Sequence, residues 1–167
     1  MKAKWLWAAL ALVLLGAVVV VVGGYPQIQR EMTPFEEKTP ADISEANAQL
    51  ATLEPQILAT YKRWQWIDAL FVLCYATAMA IVFAVAKRRF SWGSWWTIAC
   101  ATLLAVLLAS EAMENTTIIG VINGNDRLGL LRLGTGAKWI VFPIGAGTSL
   151  ALLIALGVAQ LRKGRDA

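Results

Sequence analysis

The residues best placed to do chemistry are polar side chains stranded inside apolar runs. Asp68 falls early in one run, Glu111, Glu114 and Asn115 fall late in another, and Lys138 opens a third. A charge near the centre of a bilayer costs roughly 2.5–3.5 kcal/mol on insertion scales, so such charges face one another or a cavity and mark candidate sites. Asp68, Phe71 and Tyr75 share one face of a helix by the i, i+3, i+7 rule, and Glu111, Glu114 and Asn115 share another. Lys138 is free to pair with any of the three carboxylates. The spacing therefore predicts one buried polar layer of Asp68, Tyr75, Glu111, Glu114, Asn115 and Lys138. With three acids and one base, one carboxylate is expected to hold a proton or to meet a partner from outside the chain. Such a layer either fixes helix register and packing, or works as a proton or ion relay, or holds a polar headgroup or small ligand.

Other chemistry is thin. There is no histidine, which removes the commonest haem ligand, general base and zinc ligand together. No Ser-His-Asp set, metal-ligand spacing, phosphate loop or nucleotide fingerprint is present, so no enzyme, no cofactor and no metal are expected. Cys74 and Cys100 fall inside apolar runs and read as two small buried hydrophobes at different depths. The basic residues cluster beside apolar runs, which suits lipid headgroups, and no nucleic-acid motif is seen.

The elements that must position the layer are membrane spans. Of 167 residues 58% are apolar and 16% charged, against about 45–50% and about 25% in ordinary soluble domains. A bilayer core needs roughly 20 apolar residues per helix. Four runs qualify: residues 5–24, 66–86, 95–115 with an extension to 122, and 139–161. The first is longer than a signal-peptide core and lacks a small-x-small cleavage site, so it reads as a retained span. Gly145, Gly147 and Ser149, after Pro143, give the fourth a small-residue face for close packing.

Charge sets the orientation. Lys2 and Lys4 precede span one, Lys87, Arg88 and Arg89 separate spans two and three, and Arg162, Lys163 and Arg165 follow span four. Apart from Asp166 the acids lie in or toward the opposite side. The positive-inside rule then puts both termini in the cytoplasm. Trp5, Trp7, Trp92, Trp95 and Trp96 form an inner interfacial belt, and Trp64, Trp66 and Trp139 an outer one. The fold expected is all-α, a four-helix membrane bundle in a bacterial cytoplasmic membrane, with the polar layer in its outer half.

Residues 25–65 form the sizeable external segment. Pro26, Pro34 and Pro40 oppose continuous helix at its start. From Asp42, with Glu45 three residues on, a capping-box-like start leads into an amphipathic helix over residues 43–61, kinked at Pro55 or continuous with span two. The segment is either a packing lid over the bundle or a surface for a partner. Asn123-Gly124-Asn125-Asp126 marks a turn, residues 128–133 a short interfacial helix, and Asn115-Thr116-Thr117 a short glycosylation-sequon match.

Three strings stand out together: Asp68-Ala-Leu-Phe71-Val-Leu-Cys-Tyr75, Glu111-Ala-Met-Glu114-Asn115 and Lys138-Trp139. In these the chain resembles a group of small four-span bacterial membrane proteins of unassigned function, whose third-span string begins with Asp where this chain has Glu111. The resemblance covers spans two to four. It implies a fold and a shared polar layer, and no activity. Two functions are then expected to compete. One is a non-catalytic accessory or structural subunit, meeting lipids and a membrane-protein partner or a second copy of itself. The other is a small transporter, ion-relay or lipid-handling protein that uses the acidic layer.

Overall fold

The computed structural model describes residues 4–165, and for Lys4, Ala46 and residues 161–165 the backbone alone. Lys2 and Asp166, used in the charge argument, lie outside the described residues, as do the side chains of Lys4, Arg162, Lys163 and Arg165. The chain forms α1 (Lys4–Val22), α2 (Tyr25–Glu31), a 3-10 turn (Phe35–Glu37), α3 (Ile43–Leu50), α4 (Pro55–Phe90), α5 (Ser94–Ile122) and α6 (Leu128–Arg165), with no strand among the described residues. Helix is what apolar runs of this length must adopt in lipid, because each backbone N–H and C=O finds its partner within the segment. Helices α1, α4, α5 and α6 are long and apolar enough to cross a membrane.

Helices α4, α5 and α6 pack on one another, and α1 packs chiefly on α4. Two glycines permit that last contact. A Cβ on Gly16 would stand 2.9 Å from the Phe71 ring, and one on Gly23 would stand 2.7 Å from the Trp64 ring. Gly24 then reverses the chain at φ 96°, a left-handed conformation that glycine adopts without steric cost. One end of the bundle carries residues 25–53 and is called here the capped end. The other, with Lys87, Arg88 and Arg89 in the last turn of α4, is the basic end.

Helix α4 has 36 residues and α6 has 38, about 54 and 57 Å at 1.5 Å per residue, against a hydrocarbon thickness of about 30 Å. Both outrun the bilayer, and together they cradle the cap. Ile28, Phe35, Ile43, Tyr61 and Leu131 are fully buried in the cap's own apolar core, joined by Ile118 of α5. Polar ties complete it: the Phe35 N–H donates to Tyr61 Oη at 2.7 Å, Arg132 donates to Ser44 Oγ at 2.5 Å, and Trp139 Nε1 donates to the Lys38 carbonyl at 3.2 Å.

Several expected elements are redrawn. The helix expected over residues 43–61 is two: α3 stops at Leu50, and Pro55 is the first residue of α4, which then runs unbroken through span two. Proline lacks an N–H and clashes inside a helix, but it is tolerated at the first helical position. Asp42 makes no side-chain cap to α3, because its carboxylate accepts from Thr39 Oγ1 at 2.6 Å instead. Residues 128–133 are no separate helix but the opening turns of α6, which also continues through Pro143. Span one ends at Val22 and leaves Gly23 and Gly24 to the turn. Trp64, expected in the outer belt, is 2% exposed and packs under Tyr25 with ring centroids 4.8 Å apart. Within the small-residue face Gly145 meets the Met79 sulfur, 3.1 Å from its would-be Cβ, and the Ser149 hydroxyl oxygen is buried, while Gly147 faces open space. Asn115 of the sequon match is buried and hydrogen-bonded.

Candidate functional site: an acidic cavity beneath the cap

The six expected layer residues come together at one level, on three helices. Their meeting depends on how closely α5 and α6 approach. A Cβ on Gly134 would lie 3.2 Å from the Glu114 backbone N and 3.3 Å from the Ser110 carbonyl oxygen, so only glycine lets the two backbones come this near. One residue on, Thr135 Oγ1 donates to Glu114 Oε1 at 2.6 Å; one turn on, Lys138 Nζ donates to Glu114 Oε2. Glu114 is wholly buried.

Lys138 is shared, its Nζ also standing 3.4 Å from Glu111 Oε2. The other Glu111 oxygen accepts from the Tyr75 hydroxyl at 2.5 Å. Tyr75, Glu111, Lys138, Glu114 and Thr135 thus form one connected chain of polar groups across α4, α5 and α6. Asp68 stands apart from the lysine's direct contacts. Its partner is an amide: Asn115 Nδ2 donates to Asp68 Oδ2 at 2.9 Å and lies 3.4 Å from the Gln65 carbonyl. Two buried amide oxygens here, Gln65 Oε1 and Asn115 Oδ1, accept no hydrogen bond from the protein, and Glu111 Oε2 has only the Lys138 ammonium at 3.4 Å. Buried acceptors left this way cost about 1–3 kcal/mol each, so the layer has spare capacity for donors.

Between these helices and the cap lies a cavity of about 300 Å³, reached by Asp68, Glu111, Lys138 and Tyr75 from below. The cap supplies a further acid from above. Glu36, on the 3-10 turn, lines the same cavity and accepts from Tyr61 Oη at 2.7 Å and from Gln65 Nε2 at 2.6 Å. Burial pushes its carboxyl above the ordinary value of 4.5, with the Glu114 charge adding to the rise and those two hydrogen bonds opposing it. The remaining walls are aromatic. Phe71 and Phe142 meet the Tyr75 ring edge-on, at 5.1 and 5.3 Å, and Trp64 closes the top.

Toward the basic end the character changes. Val72, Ala76, Met79, Val82, Phe83, Leu107 and Leu152 form an apolar core. The buried acids and amides among the described residues all lie at the layer or toward the cap. Among the described residues no group of three Asp, Glu or Cys side chains is arranged to hold a metal ion. What the geometry offers is carboxyl groups in excess of one lysine, spare acceptors and aromatic faces.

Sequence reasoning missed three members of this site. Gln65 and Thr135 each sit three residues before a residue already singled out, on the same helix face, so i, i+3 spacing carried a usable signal. Thr135 was lost because span four was expected to begin at residue 139, whereas α6 begins at Leu128. Glu36 carried no comparable signal: it reaches the layer only because the cap folds down, a contact 29 residues from Gln65 in sequence. Compared with known protein families, curated proteins and solved structures, the chain matches none.

Proposed function

We propose that this multi-pass membrane protein receives a small positively charged group, an amine or ammonium, in the cavity beneath its cap. The carrying observation is that three carboxyls, Glu36, Asp68 and Glu111, line one aromatic-walled space of about 300 Å³ with a single cation, Lys138, which is itself held by Glu111 and by the fourth acid, Glu114, behind the wall. An amine supplies both things the layer lacks, positive charge and hydrogen-bond donors. Its fit to Tyr75, Phe71, Phe142 and Trp64 adds a cation–π contribution of about 0.5–2 kcal/mol. The apolar core toward the basic end favours binding from one side over conduction across the bilayer. On the positive-inside rule that side is the outer one, with both termini in the cytoplasm of a bacterial cell. No catalytic step is proposed.

Thermal unfolding of the purified protein tests this, with ethanolamine as probe and ethylene glycol as the uncharged control. Binding raises the unfolding temperature in a saturable way, since a ligand at a hundred times its Kd stabilises by about 2.7 kcal/mol. The amine is expected to shift the transition and the glycol is not, and Asp68→Asn is expected to abolish the shift. An equal response to both compounds, or an undiminished one in Asp68→Asn, overturns the reading.

One observation supports the second reading, an accessory subunit. Helix α1 packs chiefly on α4, leaving Leu14, Val18, Val21 and Val22 between 56% and 78% exposed along its outer side. Lipid alone satisfies such a face, and so does a partner span. Native purification separates them: a membrane protein crosslinking to α1 supports the subunit reading, and a lone monomer counts against it.

A further inference from the structure

A second cavity, of about 500 Å³, opens at the basic end between α4 and α5. It shares no residue with the acidic cavity and its composition is the reverse. The inner walls are apolar, with Phe83, Ala84, Cys100, Ala101 and Leu104 among them, and the lip carries Lys87 and Arg88. Ala84 and Ala101 face each other's helices with side chains too small to fill the gap, and both are exposed.

The lip is organised. Lys87 Nζ donates to Thr97 Oγ1, which draws the ammonium across the mouth from α4 to α5. Arg88 is exposed beside it. No acidic residue lines the cavity. Both cations sit in the last turn of α4, where the helix dipole favours positive charge. Trp92 and Trp96, ring centroids 4.3 Å apart, collar the opening, and tryptophan pairs of this kind belong at the headgroup level.

A slot walled by hydrocarbon and lipped by cations and hydroxyls matches one molecule by chemistry: an acyl chain ending in a phosphate. We propose that this crevice binds an anionic phospholipid, with one acyl chain between α4 and α5 and the phosphate against Lys87 and Arg88. A zwitterionic headgroup gains less there, because its ammonium meets no carboxylate on the lip. Basic pockets between spans are known to select anionic headgroups, each cation contributing about 1 kcal/mol, or about fivefold.

Tryptophan quenching by brominated lipid tests the proposal on the whole protein in nanodiscs. Brominated phosphatidylglycerol is expected to quench at a mole fraction about 25-fold below that of brominated phosphatidylcholine, the preference of two cations. Lys87→Gln with Arg88→Gln is expected to bring the two curves together. Ala84→Phe keeps both charges but fills the slot, and it is expected to abolish the preference as well; Ala101→Phe repeats the test from α5 if the first variant unfolds. Indistinguishable curves in the unmodified protein overturn the proposal. So does a preference that survives the filled slot, which would place the lipid on a charged surface and not in the crevice.

Discussion

The capped half and the basic half of this bundle are held together by different physics. In lipid there is little hydrophobic drive between helices, since the surrounding tails are as apolar as leucine. The basic half relies on fit, with Met79 against Gly145, Phe83 edge-on to Trp96, and Leu107 and Leu152 filling the core. The capped half relies on groups that hydrocarbon cannot satisfy: Glu114 takes Thr135 and Lys138, Glu111 takes Tyr75, and Asp68 takes Asn115. The lesson is that the polar half specifies which helix faces meet. The apolar half tolerates a cavity between its helices because nothing there demands a particular partner.

The contrast breaks most sharply at Lys138. Replacing it by Met leaves Glu111 and Glu114 buried beside each other without a counter-charge, a change expected to cost about 3–5 kcal/mol. Unfolding in detergent measures it, and Lys138→Met combined with Glu114→Gln is expected to recover much of the loss. If the single variant is as stable as the parent, the polar half does not hold the bundle.

Glycine substitutions sharpen the comparison at smaller scale. At Gly134 an added side chain meets backbone atoms of α5, so Gly134→Val is expected to cost about 1–3 kcal/mol. At Gly145 the neighbour is the flexible end of Met79, which moves aside. Gly145→Ala is therefore expected to stabilise, by up to about 1 kcal/mol of helix propensity. Matching signs for the two variants, read in the same unfolding assay, would erase the distinction between rigid and adaptable contacts.

The weakest expected effect is that of pH on the cap. Glu36 has its carboxyl raised above 4.5 by burial, so its contribution to holding the cap is present in full below that value. It is lost as pH rises through the raised one, when the acid ionises beside the layer. Amide-exchange protection of residues 25–53, corrected for the intrinsic rate, is expected to fall as pH rises, and Glu36→Gln is expected to flatten the dependence. Protection that climbs with pH in the unmodified protein would reverse the sign and sink this account.

The parts of the fold readable in the sequence were those written in local periodicity. Four long apolar helices follow from run length, and the layer follows from i, i+3 and i+4 spacing of Asp68, Tyr75, Glu111, Glu114 and Asn115. Lys138 was legible as the one cation at the start of a span. Helix ends were less so: Pro55 reads as a kink until tertiary structure makes it a first residue, and Leu128 joins α6 because its side packs beneath the cap. Least legible was the cap's descent, which brings Glu36 to Gln65 and Tyr61 across a chain of prolines. Long-range docking of an irregular segment leaves no period to count.

Helix α4 runs without interruption from the cap to the basic end, and one rigid rod thus bears Tyr61 and Gln65, then Asp68 and Tyr75, then Lys87 and Arg88. Its contact with α1 at Gly16 lies near mid-length, at Phe71. At about 54 Å long, a tilt of about 5° swings each extremity by about 2 Å in opposite directions. A lever arm of that length makes the two tips the places where a small tilt would be felt most.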